Sequence, residues 1–234
     1  MADDTIPRRN FLLGAGTAVA AGLTSNAEAQ TPASAATRAP ANEPVTYLTL
    51  SALEAEFISA VADTMIPADA LSPSGTDCGV VVFIDRQLAG SFGGGAKLYR
   101  SGPFRKGKPE HGYQLPLTPR EFVGVGITAT NAWVRKEHGK DFHRLNPKER
   151  EDALKALEAG KAELGDFDSR QFFDALLNLV MEGFFADPIH GGNRDKVAWK
   201  MIGYPGLPAL YANSIDEYRH KRYLVEPRSI ADFS

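Results

Sequence analysis

Helix-start signals recur along this chain, and they constrain its fold more than any other feature. At Thr118, Pro119, Arg120 and Glu121 a good N-cap residue is followed by proline at the first helical position and a glutamate placed to reach back to the cap. Asn146, Pro147, Lys148 and Glu149 repeat this arrangement; Ser51 with Glu54, and Asp168 with Gln171, have the same spacing without the proline. Behind each start the apolar residues fall at helical intervals. Phe57, Ile58, Val61 and Met65 run to a stop near Pro67, and Phe122, Val125, Ala129 and Trp133 lie in a helix reaching about His138. Ala153, Leu154 and Leu157 follow Asn146, while Phe172, Phe173, Leu176, Leu177, Val180 and Phe184 follow Asp168. This last helix is apolar on most faces and is expected in the centre of the core.

Shorter signals fill the gaps. Val80, Val81, Phe83, Ile84 and Leu88 share one face of a short helix. Asn193 is expected to cap another that carries Val197, Trp199, Met201 and Ile202 and stops at Tyr204, Pro205 and Gly206, and residues 215–223 are read as a final helix. Residues 90–117 combine Gly93, Gly94 and Gly95 with Tyr99, Pro103, Phe104 and Tyr113 and are expected to be irregular. No stretch alternates β-branched and polar residues, so the class is all-α: a single compact helical domain over residues 47–234 with long irregular loops.

Ahead of that domain, residues 1–29 read as a twin-arginine signal peptide. Arg8 and Arg9 precede Asn10, Phe11 and Leu12, a mild apolar run follows, and Ala27 and Ala29 mark a small-residue cleavage site before Gln30. An ordinary secretory signal would carry a greasier run. This one is also too short for the roughly 20 residues that span a bilayer. Residues 30–46, rich in Pro, Ala and Thr, are read as a flexible linker. Twin-arginine translocation carries folded cargo, which places the mature chain in the periplasm.

Chemistry is hard to find in the remainder. The formal net charge is -3, which argues against nucleic acid as a partner. Cys78 is the one cysteine, so this chain cannot by itself build a disulfide, a thiolate zinc site, an iron–sulfur cluster or a C-x-x-C-H haem attachment. Cys78 is either buried and inert, free, or paired with a partner chain, and the last suits a 72–79 segment that reads as an exposed loop. His138 and His143 do not have the i, i+4 spacing of a helical metal pair. His190 sits in a polar loop from Asp187 to Asp195 with no nucleophile placed beside it. Carboxylates such as Asp63, Asp69, Asp77 and Asp85 read as capping or solvated groups. No catalytic, cofactor-binding or metal residue is therefore assigned. Phe184, Phe185, Trp199 and Tyr204 read as core aromatics or as interface anchors.

Two strings go further. Glu182, Gly183, Phe184, Phe185, Ala186, Asp187 and Pro188, followed by Gly191, Gly192, Asn193, Arg194 and Asp195, are joined by Trp199, Lys200, Ile202, Gly203, Pro205 and Gly206. With Phe83 to Leu88 and the stretch from Tyr99 to Phe104, they make residues 48–211 resemble the small (gamma) subunit, or subunit 3, of membrane-bound gluconate 2-dehydrogenase. The resemblance implies a heterotrimer with a large FAD-containing dehydrogenase subunit and a cytochrome subunit carrying haem c, associated with the inner membrane. It implies that this chain is non-catalytic, holds no cofactor, and takes the folded flavoprotein through the twin-arginine translocation machinery. Cys78, Phe184, Phe185, Asn193, Arg194, Trp199 and Tyr204 become candidates for the partner interface. Two other readings stay open: an exported enzyme built on the His190 loop, and a binding module with no dehydrogenase partner.

Overall fold

The structure, a computed structural model, describes residues 46–105, 107–208 and 210–233. The signal peptide, with Arg8, Arg9, Phe11, Leu12, Ala27 and Ala29, and all but the last residue of the linker lie outside them. Seven α-helices occur among the described residues: α1 Ala52–Met65, α2 Val80–Ala89, α3 Pro119–His138, α4 Pro147–Glu158, α5 Ser169–Phe185, α6 Val197–Ile202 and α7 Ile215–Tyr218. There is no strand among them, only an isolated parallel bridge between Gly206 and Arg228. The fold is all-α. No described helix is long and apolar enough to cross a membrane.

The capping grammar works as written. Ser51, Thr118 and Asn146 each accept the amide of the residue three further on, and Glu54, Glu121 and Glu149 return a carboxylate to the cap backbone. Asp168 accepts the Gln171 amide at 3.0 Å. Caps of this kind contribute about 1 kcal/mol each and fix where a helix begins. At the other end of α3, Gly139 adopts φ 70 and stops the helix.

Helix α5 is central, packed against α1, α2, α3, α4 and α6. Its Phe172 meets Phe57 of α1 and Phe122 of α3, with ring centroids 6.4 and 6.3 Å apart. Phe57 packs in turn against Phe142, the rings tilted by 43° with centroids 4.9 Å apart, and Phe142 leads the short 3-10 turn Phe142–Arg144. These rings, with Ile58, Ile84, Ile127, Leu157 and Leu176, are almost wholly buried. Glycine in the middle of α3 makes the approach possible: a Cβ on Gly126 would lie 2.2 Å from the Phe172 ring.

Three expectations need correction. Asp85 is neither solvated nor a cap. It is 2% exposed and accepts the amides of Leu48, Thr49 and Leu50, pinning the segment that enters α1 to α2, because a buried carboxylate must find donors. Asn193 does not directly precede α6, which follows Lys196, but its side-chain oxygen accepts the amide of Ala198, the second residue of that helix, from across the turn Arg194–Lys196. The final helix stops at Tyr218: Arg219 leaves helical geometry, and the chain doubles back so that Tyr223 packs on Tyr218 and Tyr211. The described residues of 90–117 are irregular as expected, apart from the turn Pro109–His111.

Candidate partner-binding surface

Beyond Phe185 the chain forms a clasp that returns to the start of α2. Asp187 accepts the Ile189 amide on one carboxylate oxygen and the Ile230 amide on the other. After the turn Pro188–His190, Gly191 packs against Val82 and Arg86 of α2 and Gly192 against the Gly183 backbone of α5, and Asn193, Asp195 and Lys196 adopt φ values of 44, 56 and 58. Left-handed backbone at non-glycine residues costs about 1 kcal/mol or more each and survives only where surrounding bonds enforce it.

The enforcing bonds are present. Asn193 is 0% exposed; its amide donates to the Ala186 carbonyl and its carbonyl oxygen accepts the Ala198 amide, both at 2.9 Å. Arg194 donates its backbone amide to the Cys78 carbonyl and its guanidinium to the Asp77 carbonyl. Arg86 reaches the Ile189 carbonyl, and Lys196 holds both the Pro227 carbonyl and Asp232. The Trp199 indole donates to the Phe185 carbonyl and packs edge-on against Tyr204, with centroids 5.1 Å apart.

All seven interface candidates thus gather at this clasp, where they divide into two groups. Cys78, Phe184, Asn193 and Trp199 are buried, so their side chains hold this chain together from within. The 72–79 segment is not the open loop that its composition suggests, since Ser72, Gly75, Cys78 and Gly79 are buried. The Cys78 thiol points at the Pro73 carbonyl, and burial, aided by Asp77, pushes its pKa up, which disfavours the reactive thiolate. Arg194 and Tyr204 are exposed and Phe185 half-buried. Ile189, Met201 and Ile202, from the same stretch of chain, are exposed as well.

A second feature is a groove of about 530 Å³ between α3, the outer face of α5 and the loop preceding α3. Its apolar lining includes Phe92, Leu98, Phe122, Val123 and Leu177. Tyr113 closes one side, stacked on Phe122 at 4.0 Å and donating its hydroxyl to the Leu117 carbonyl. Around this lining stand Glu110, Asp174 and Glu182. Desolvation holds the Glu182 carboxyl above its ordinary value.

His190 is exposed at the end of its turn, and its imidazole makes no hydrogen bond with another described residue. Among the described residues no three His, Cys, Asp or Glu side chains converge as metal ligands would. The apolar surfaces can bury area against another protein.

No curated protein sequence and no solved structure matches the chain. The family model for gluconate 2-dehydrogenase subunit 3 matches residues 52–206, from the first residue of α1 to the glycine paired with Arg228. This chain belongs to the gluconate 2-dehydrogenase subunit 3 family.

Proposed function

We propose that this protein is the non-catalytic small subunit of a periplasmic, membrane-associated flavin-dependent dehydrogenase, and that it binds, stabilises and exports the flavoprotein large subunit. The observation that carries this reading is the family match, which spans six of the described helices. The leader at Arg8 and Arg9 supplies the export half: a pathway for folded cargo suits a chain whose partner must acquire FAD before crossing the membrane. A cytochrome subunit with haem c completes the complex and accepts the electrons. The apolar lining of the groove and the exposed apolar side chains at the clasp suit the binding role, because apolar groups left open to solvent can be buried against a partner.

Substrate chemistry belongs to the large subunit in this reading. The test is co-expression of the affinity-tagged full chain with the flavoprotein, followed by gel filtration with flavin absorbance and mass detection. A stoichiometric complex is expected, in which only the flavoprotein turns over a sugar acid, sugar or polyol. Isolation of the chain without flavoprotein, or turnover by the chain alone, would refute it.

A further inference from the structure

The groove between α3, α5 and the 90–117 loop has a charge pattern that its apolar lining does not require. Glu110, Asp174 and Glu182 stand along it, and no Lys, Arg or His is among the described residues that line it. None of the three carboxylates forms an ion pair or accepts a hydrogen bond from another described residue. Several carboxylates elsewhere are paired, Glu54 with Arg120, Asp141 with Arg135, Glu149 with Lys140, and Asp232 with Lys196. Glu182 is the most telling, because apolar neighbours raise its carboxyl pKa and no cation offsets them. Asp174, Leu177 and Asn178 lie at i, i+3 and i+4 on α5, so acidic and apolar groups share one solvent-facing stripe that continues to Met181 and Glu182.

We infer that this groove seats a segment of the large dehydrogenase subunit in which an apolar anchor is flanked by Lys or Arg side chains. The inference rests on the small-subunit function proposed above and names the surface and the chemistry of the contact. An apolar side chain filling the space beside Phe92, Leu98 and Leu177 supplies desolvation, and the flanking cations satisfy carboxylates that this chain leaves unpaired. A second copy of the same chain suits the groove poorly. Two-fold pairing of groove on groove would set each acidic rim against its equivalent, and like charges across an interface are strongly unfavourable.

The test measures binding of the purified flavin-containing large subunit to the full chain, with variants at exposed positions, each checked for native circular dichroism. Asp174→Asn combined with Glu182→Gln keeps shape and removes charge; Leu177→Lys removes the apolar contact and adds a repelling cation. The neutralised pair is expected to bind about tenfold more weakly at low salt, with a shallower salt dependence, and Leu177→Lys about 100-fold more weakly. Wild-type affinity and salt dependence in both folded variants would overturn the inference while leaving the subunit function standing. Failure of the wild-type chain to bind the large subunit would sink both. Self-association of the wild-type chain that Leu177→Lys abolishes, with large-subunit binding intact, would assign the groove to a second copy and also overturn the inference.

Discussion

Gly192 lies against Gly183 so closely that a Cβ on Gly192 would sit 2.0 Å from the Gly183 carbonyl oxygen. Gly183 is itself pressed on by Phe83, whose ring a Cβ there would meet at 2.9 Å. Helix α2, helix α5 and the clasp therefore meet at a point with no room for one methyl group. Gly192→Ala should cost about 3 kcal/mol, at the upper end of overpacking effects, because the obstacle is backbone and cannot rotate away. Urea unfolding of the variant beside wild type would measure the loss.

Asn193 ties α5 to α6 through two hydrogen bonds from a fully buried side chain. Asn193→Ala strands the Ala186 carbonyl and the Ala198 amide and also places alanine at φ 44. The combined cost is predicted at about 3 kcal/mol. Asn193→Asp keeps the acceptor for Ala198 but loses the donor to Ala186, so calorimetry should place it below wild type as well.

Arg120 joins three segments, binding both carboxylate oxygens of Glu54 at 2.8 Å and the side chain and carbonyl of Thr49. Desolvation alone would raise the Glu54 carboxyl, but bonds from Arg120 and Ser51 bring it below its ordinary 4.5. A carboxylate with a depressed folded-state pKa stabilises above its unfolded value and loses that contribution as pH falls through the folded one. Arg120→Met should therefore cost about 2 kcal/mol at neutral pH, since the pair is only partly exposed. Stability measured across the acid range should also fall less steeply below pH 4.5 in the variant than in wild type.

Asp232 closes the C-terminal end of the clasp. The hydrogen bond from Lys196, with those from Ser229, lowers its carboxyl from 3.8 to about 2. The tether should hold at every pH above 3.8 and release as pH falls through about 2. Asp232→Asn should release it at neutral pH. Hydrogen exchange at the Ser229 amide, which donates to Asp232, is expected to speed up in the variant while exchange in α5 stays unchanged.

What the sequence discloses is what neighbours in sequence decide. Cap residues and the glutamates three positions on act locally, so the starts of α1, α3, α4 and α5 are legible at Ser51, Thr118, Asn146 and Asp168. Asn193 is legible only in part: its bond to Ala198 at the start of α6 fits a cap, but its bond to Ala186 and the left-handed backbone between it and the helix are announced by no local pattern. Burial of Cys78 and Asp85 depends on partners far along the chain, Arg194 in one case and residues 48–50 in the other. The groove was hidden because Phe92, Tyr113, Phe122 and Glu182 come from segments that only the fold brings together. The signal that pointed nearest to it was the length and aromatic content of the 90–117 loop.

The central claim is that this chain carries a folded flavoprotein across the membrane. Substituting both Arg8→Lys and Arg9→Lys in cells expressing the complex, then fractionating periplasm, membrane and cytoplasm, tests it most directly. The prediction is that flavin-loaded large subunit disappears from the periplasmic side and accumulates or is degraded in the cytoplasm, with membrane dehydrogenase activity lost. Undiminished periplasmic activity with the large subunit in its usual fraction would contradict it.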